Sequence, residues 1–190
     1  MILYHTGFEI IKDPDIRHGR KNADFGQGFY LTDDEAFAHR WARERKGEET
    51  VVNTYELDTE GLSIHRFIRD ENWFEYIYGN RNHKPDPLTA DVIMGPIAND
   101  TIYDTFGVMT SGMLAKDTAM SLLLMGPEYV QITLKTERAA KNLKWLGAKT
   151  LPPGEVSEYR KTVAAEQEEY QKLFADKLAE IEDSDEDQKA

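Results

Sequence analysis

The best candidate for a ligand-binding segment is the run from Asp24 to Thr32, with the sequence Asp-Phe-Gly-Gln-Gly-Phe-Tyr-Leu-Thr. Gly26 and Gly28 have the spacing of a turn that needs a positive φ angle or a close approach of the main chain to a ligand. The three residues that follow favour a β-strand. The segment therefore predicts a main-chain binding loop that leads into a strand. Ordinary core aromatics beside a tight hairpin are the alternative.

A helix is predicted directly after this strand. Thr32 and Glu35 have the spacing of a capping box, in which the two side chains close the first turn. Phe37 and Trp41 lie four residues apart and share one face of that helix. This arrangement would allow the rings of Tyr30 and Trp41 to meet.

Several other chemistries are excluded or disfavoured. The two glycines do not form a dinucleotide-binding fingerprint, because Leu31 stands where the third glycine would be and a strand follows instead of a helix. The absence of cysteine excludes disulfides and thiolate metal sites. No Gly-x-Ser-x-Gly nucleophile motif occurs. We predict no metal site, since the histidines at 5, 18, 39, 65 and 83 lack ligand spacing.

The same motif carries a family resemblance. Leu3-Tyr4-His5, the complete 24–32 segment and Trp41-Ala42 together resemble the ADP-ribosyltransferase superfamily, and within it a small bacterial branch of the His-Tyr-Glu type. In that type a histidine, a tyrosine and a late acidic residue surround NAD. The resemblance covers about residues 1–146. It implies an α+β fold with a split antiparallel β-sheet core, surrounding helices and a cleft for NAD between two facing sheets.

The resemblance also implies roles for individual residues. His5 would orient a ribose through its hydroxyls, and the main chain of Thr6 would bind the nicotinamide amide at a position often occupied by glycine. Tyr30 would stack on the nicotinamide, with Trp41 as the second wall. Gln131 would hydrogen-bond the 2-hydroxyl of the nicotinamide ribose. Further cofactor-binding candidates are Gly28, Arg20, Asn99 and Asp100; a surface loop for Arg20 and a helix cap for the last two are the alternatives.

Gln131 departs from the family pattern, in which most transferases have glutamate. A glutamine supplies no negative charge near a developing cation and cannot deprotonate an acceptor. Three outcomes remain open: a slow or specialised transferase, an enzyme whose carboxylate comes from elsewhere, such as Asp100 or Glu137, and a nucleotide-binding protein without turnover. Electrostatic stabilisation is often the largest catalytic contribution, so glutamine at residue 131 is the strongest argument against transferase activity.

The elements that must position these residues follow from hydrophobic periodicity and turn signals. Strand and helix signals interleave without regular βαβ spacing, which favours an α+β domain. Along the late strand, alternation predicts that Val130, Ile132 and Leu134 face the core and that Gln131 lies on a wet or cleft-lining face. Strands are predicted at residues 2–5, 29–31, 50–57, 90–94 and 128–135, and helices at about 33–46, 70–79, 115–125, 136–146 and 155–181; residues 58–69 allow no prediction.

The sequence divides into a body, residues 1–150, and an appendage, residues 151–190, after Pro152-Pro153-Gly154. The appendage is predicted to be an amphipathic helix with an acidic, disordered end, and its apolar stripe packs either on the body or on a partner. The net charge of -12 includes 12 acidic and 5 basic residues in the appendage, which leaves the body at about -5. Without a basic field, nucleic acid is not the favoured partner, although a local basic patch keeps it open.

Neither a membrane span nor a signal peptide is apparent, so we expect a cytoplasmic protein without a membrane partner. The function that the resemblance implies is NAD-dependent ADP-ribosyl transfer to an unknown acceptor, in a bacterial toxin or phage-defence effector. An antitoxin or partner protein would bind the C-terminal helix. An NAD glycohydrolase is the nearest alternative, and a non-catalytic NAD or ADP-ribose reader is the alternative from another class.

Overall fold

The computed structural model describes residues 1–98, 118, 121–122 and 125–187. The chain divides into two compact units, one of Met1–Pro96 with Tyr129–Lys161 and the other of Ile97–Glu128 with Thr162–Ala190. The boundary predicted after residue 150 falls inside the first unit. Asn99 and Asp100, predicted to cap a helix or to lie beside a nucleotide, are outside the described residues, and the other predicted site residues all lie in the first unit.

The described part of the chain is an α+β protein with two sheets. One sheet has the strand order β1-β3-β7 and is antiparallel; the other has the order β2-β6-β5-β4 and is mixed, because β4 and β5 pair in parallel. The α+β prediction is confirmed, whereas the expectation of a wholly antiparallel core is wrong, because β4 and β5 run parallel. The elements are β1 (Ile2–Gly7), β2 (Phe29–Leu31), α1 (Glu35–Arg40), β3 (Thr50–Leu57), β4 (Ile64–Arg66), α2 (Glu71–Arg81), β5 (Val92–Pro96), β6 (Val130–Leu134), α3 (Glu137–Lys141), β7 (Leu143–Leu151) and α4 (Pro153–Asp187).

The two sheets share one hydrophobic core. Phe29, Leu31, Ile132 and Leu134 of the four-stranded sheet pack with Leu3, Tyr55, Leu57 and Leu143 of the three-stranded sheet. The opposite face of the four-stranded sheet is covered by α2, whose Trp73 donates its indole N–H to the carbonyl of Pro96 at 2.9 Å. Side chains on either face of β6 are therefore buried.

The edge strands of the two sheets meet at a single residue pair. Tyr4 N donates to Thr32 O at 2.8 Å, and Thr32 N donates to Tyr4 O at 3.0 Å. Beyond this bridge the two strands belong to different sheets. The strands β1 and β2 are therefore joined at Tyr4 and Thr32 and separate directly beyond that pair.

The start of α1 corrects the capping prediction. Asp34, not Thr32, caps the helix, because its side chain accepts from Phe37 N, and the helix ends at Arg40, well before residue 46. The Thr32 hydroxyl instead donates to Val130 O at 3.0 Å, next to the β2–β6 pairing. The same hydroxyl accepts from Asp34 N at 3.2 Å, so Thr32 closes a turn just before the helix instead of capping it.

The last third of the first unit also differs from prediction. The helix expected over 136–146 ends at Lys141, and residues 143–151 form β7, which pairs with β3 along its length. Pairing with β3 is a long-range interaction that overrides the local helical pattern. The strand predicted at 90–94 continues through Pro96, and β4 lies in the stretch without a prediction.

The C-terminal helix begins at Pro153, a favoured first helical residue. In the first unit, its Val156 and Tyr159 pack with Ala38, Ala42 and Val52, so the start of the helix packs on the body. Of the helix predicted over 115–125, residues 118, 121 and 122 are helical and the others, apart from 125, lie outside the described residues. No helix among the residues described has the length and apolar character to cross a membrane.

Gly28 is tightly enclosed by β6, which gives a testable prediction. A Cβ atom at this position would lie 2.6 Å from both Leu134 O and Thr133 Cγ2. We expect Gly28→Ala to lower the free energy of unfolding by about 1–3 kcal/mol, measured by urea denaturation, because the main chain of β6 cannot move aside cheaply. The control is Gly154→Ala, where a Cβ meets nothing within 4 Å and the helix gains an alanine. Equal stability of the two variants would contradict the prediction.

Candidate functional site

His5 lies where β1 and β2 separate. Its Nδ1 is 2.8 Å from the main-chain oxygen of Tyr30. A carbonyl oxygen only accepts, so Nδ1 must carry the proton, and Nε2 is left as the acceptor nitrogen of a neutral ring. The ring stacks on Phe29, with centroids 4.6 Å apart. The structure therefore brings the His5 ring to the main chain of Tyr30, with an imidazole suited to accept a hydrogen bond from a hydroxyl group.

Burial lowers the pKa of His5 below its ordinary value, and the hydrogen bond to Tyr30 opposes this effect only in part. The unfolded chain therefore binds a proton before the folded chain does as the pH falls through the ordinary histidine range of about 6.5. Stability supported by neutral His5 is present above that range and is lost below it.

We expect wild-type protein to lose stability between about pH 7 and pH 5 relative to His5→Asn, because asparagine keeps an N–H donor for Tyr30 O but does not titrate. Urea denaturation at several pH values measures the difference. His18→Asn controls for the loss of one histidine, since His18 lies in an exposed loop. Parallel stability curves for wild type and His5→Asn would show that His5 is not held neutral by the fold.

Thr6 places main-chain groups beside the same gap. Because Tyr4 bonds Thr32 through both its N–H and its C=O, the strand alternation turns the main-chain groups of Thr6 to this side of β1, away from β3. The Thr6 hydroxyl donates to Ala38 O at 2.6 Å, which holds the side chain against α1. The main chain of Thr6 is thus the part that faces the gap.

Tyr30 is fixed by the glycine loop that precedes it. Its hydroxyl donates to Gly26 O at 2.6 Å and accepts from Phe25 N at 3.0 Å. Burial, together with the nearby Asp24 carboxylate, raises the pKa of this phenol far above its ordinary value, so Tyr30 stays neutral. Gly26 has a φ of 71°, which confirms that the loop needs a positive φ angle.

Gln131 is buried, with 6% of its surface exposed, so of the two predicted surroundings the wet face is wrong and the cleft-lining face stays a prediction. The physical reason is that α2 covers this face of the sheet. The amide nitrogen Nε2 lies 3.4 Å from both Asp24 Oδ2 and Pro96 O. Tyr30 pairs with Thr133, two residues along β6 from Gln131, so the side chains of Tyr30 and Gln131 leave the same face of the sheet.

An ion pair that the sequence analysis missed lies beside Gln131. Asp24 Oδ1 accepts from Arg81 Nε at 3.0 Å and from Arg81 Nη2 at 2.7 Å. The side chains are only 7% and 3% exposed. Asn80 Nδ2 also donates to the main-chain oxygen of Asp24 at 3.0 Å. From the sequence, only Asp24 could have been noticed, because it is an acidic residue that opens the glycine motif. Arg81 gave no such signal, since it lies two residues beyond the predicted helix.

The remaining predicted site residues are not gathered here. The Trp41 ring packs edge-on against Phe37, with centroids 5.9 Å apart, and no ring contact joins it to Tyr30 in the described structure. Arg20 is exposed. The ring of His5 lies against Phe29, on the face of β2 opposite to the Tyr30 side chain. His5 and Gln131 therefore approach β2 from different sides.

The arrangement is suited to recognition of hydroxyl and amide groups. His5 is neutral and Gln131 offers an uncharged amide, so these two residues provide hydrogen bonds without an ionised acid or base, beside the neutral ring of Tyr30. Within the described ranges, no three His, Asp or Glu side chains come together as ligands for a metal ion.

Comparison with protein-family models matches residues 1–145 to the family described as "Protein of unknown function (DUF3990)". The match spans most of the chain, so this chain belongs to the DUF3990 family. A search of curated proteins found no match. The family match begins at β1 and includes His5, Tyr30, Asp24 and Gln131.

Proposed function

We propose that this member of the DUF3990 family is an NAD-dependent ADP-ribosyltransferase whose NAD site lies at the gap between β1 and β2. The observation that carries the proposal is the hydrogen bond from the His5 ring to Tyr30 O where the two edge strands separate. It joins the histidine of the motif on which the resemblance rests to the main chain of the tyrosine of that motif. Two sheets that meet at one residue pair also support an ADP-ribosyltransferase-like split core.

In this proposal the protein mainly positions NAD, which is the substrate. Cleavage of the bond between nicotinamide and ribose passes through an oxocarbenium-like state, as in glycoside hydrolysis. His5 Nε2 accepts a hydrogen bond from a ribose hydroxyl, and the main chain of Thr6 binds the carboxamide. Tyr30 stacks on the nicotinamide ring. Gln131 accepts from the 2-hydroxyl of the nicotinamide ribose, and Trp41 is left out of the proposed wall because it packs on Phe37.

The positions of His5 and Gln131 favour an extended ligand. The two side chains approach β2 from different sides, so a small compact molecule would not reach both. A dinucleotide has two ribose rings separated by a pyrophosphate, so each ribose would meet one of the two hydroxyl-binding groups. The proposal extends, through the resemblance alone, to a cytoplasmic toxin or phage-defence effector with an antitoxin bound to α4.

A non-catalytic NAD or ADP-ribose reader is the second candidate. The observation that favours it is the absence of a carboxylate at residue 131, together with a neutral His5. A reader would bind NAD without releasing nicotinamide. An NAD glycohydrolase would release nicotinamide and free ADP-ribose without labelling an acceptor.

The test is nicotinamide release from NAD by the purified full chain, with cell lysate present as a source of acceptors. We expect release by wild type, labelling of a lysate component, and an NAD affinity for His5→Ala that is lower by roughly 10- to 100-fold. His18→Ala is the matched control, because this histidine lies in an exposed loop. Binding without release would support the reader, and the absence of any NAD binding would overturn the proposal.

A further inference from the structure

The orientation of the Gln131 amide is determined by its neighbours. Nε2 lies 3.4 Å from Asp24 Oδ2 and 3.4 Å from Pro96 O. A carboxylate and a carbonyl oxygen accept hydrogen bonds and cannot donate them. The NH₂ group must therefore face these two oxygens, and Oε1 must point the other way. The reverse orientation would place three acceptor oxygens together in a buried place.

We propose that Asp24 is a positioning residue that turns the Gln131 amide oxygen toward the ligand. The identity of that ligand as NAD rests on the proposed function, whereas the orientation of the amide does not. Gln131 then presents an acceptor oxygen, as one oxygen of a glutamate would.

Asp24 is itself held rigidly enough for this role. Its other carboxylate oxygen receives two hydrogen bonds from Arg81, and its main-chain oxygen receives one from Asn80. Both donors come from the last turn of α2, which covers this face of the sheet. A buried side chain held by several hydrogen bonds keeps one rotamer, and it can impose that geometry on a neighbour.

The same contact accounts for glutamine at this position. A glutamate at residue 131 would bring a second carboxylate next to Asp24, and two like charges at this distance disfavour ionisation of both. Glutamine supplies an acceptor oxygen on one side and a donor for Asp24 on the other. The wild-type pair, aspartate at 24 with glutamine at 131, carries one negative charge. The exchanged pair, asparagine at 24 with glutamate at 131, would carry the same single charge.

The first part of the test measures this coupling without any reaction. In Gln131→Glu, carbon NMR of labelled glutamate would follow the additional carboxyl group during a pH titration. We expect its pKa to lie above the ordinary glutamate value of about 4.3 and to fall when Asp24→Asn is added. An unchanged pKa after Asp24→Asn would show that the two side chains are not adjacent in solution, and the inference would be wrong.

The second part measures steady-state nicotinamide release. In Asp24→Asn the asparagine oxygen faces Arg81 and its NH₂ faces residue 131, which turns the Gln131 oxygen inward. We expect kcat to fall by about 10- to 100-fold with a much smaller change in KM for NAD. Adding Gln131→Glu restores an oxygen acceptor and the single charge, so kcat should recover. A double variant no more active than Asp24→Asn would contradict the positioning role.

Folding and function are separated by two controls. Asp91→Asn replaces another buried aspartate, which pairs with Arg138 away from Gln131. This control should lower stability without lowering kcat selectively relative to KM. Near-ultraviolet circular dichroism confirms that each variant is folded. If wild type releases no nicotinamide, the proposed function fails, and the titration still decides the orientation of Gln131. If wild type is active and Asp24→Asn keeps its kcat, the positioning role fails and the proposed function remains.

Discussion

Arg81→Met should lower the free energy of unfolding by about 3–5 kcal/mol, because it leaves the carboxylate of Asp24 buried without its counter-charge. The two side chains are only 3% and 7% exposed, and two hydrogen bonds join them. Methionine keeps most of the volume of the arginine stem, so the loss is mainly electrostatic and not a cavity effect. Water cannot readily replace the guanidinium around this carboxylate.

Urea denaturation measures this loss of stability, and two further variants serve for comparison. Arg17→Met breaks an exposed pair with Glu137, whose side chains are 75% and 56% exposed, and should cost about 0–1 kcal/mol. Adding Asp24→Asn to Arg81→Met removes the buried charge and should recover part of the lost stability. If Arg81→Met is no less stable than Arg17→Met, the buried ion pair does not stabilise the fold.

Gln131→Ala should lower the rate of nicotinamide release by about 10²-fold, on the scale of losing one preorganised hydrogen-bonding group in a buried site. The prediction depends on the proposed function. Alanine removes the acceptor oxygen that we assign to the ribose hydroxyl and also the donor that faces Asp24 Oδ2. The second loss costs about 1–3 kcal/mol of stability, so rates must be compared at equal amounts of folded protein.

Steady-state kinetics with NAD test this prediction, with Gln27→Ala as the control. Gln27 donates to Arg17 O and Gly19 O within the loop and does not lie on β6. We expect the control to keep a rate close to that of wild type. A wild-type rate for Gln131→Ala would remove Gln131 from the reaction, and a similar loss in both variants would point to general damage to the loop.

Local signals in the sequence were enough for several elements. The strand at residues 50–57 was predicted with its observed bounds, because a run of β-favouring residues follows a clear turn. The positive φ angle of Gly26 followed from the glycine spacing. The α+β class followed from the irregular order of strands and helices. Each of these properties depends on residues close together in the chain.

Other features depend on partners that are distant in sequence. The strand β7 forms because β3 offers an edge about 90 residues earlier in the chain, and periodicity alone indicated a helix for part of that segment. Thr32 does not cap α1; its hydroxyl donates to Val130 O of β6, 98 residues later, and accepts from Asp34 N. By contrast, the Trp41 ring packs on Phe37, only four residues away, and makes no ring contact with Tyr30 in the described structure.

For the candidate site, the sequence alone determined which residue types stand at 5, 30 and 131 and that a glycine loop precedes Tyr30. Only the tertiary structure decided their surroundings. The His5 tautomer follows from a carbonyl 25 residues away, and the burial of Gln131 follows from α2. Asp24 lies 107 residues from Gln131 and 57 from Arg81. These hydrogen bonds and this burial join residues that are close in space but far apart in the chain. The pattern of neighbouring residues in the sequence therefore does not predict them.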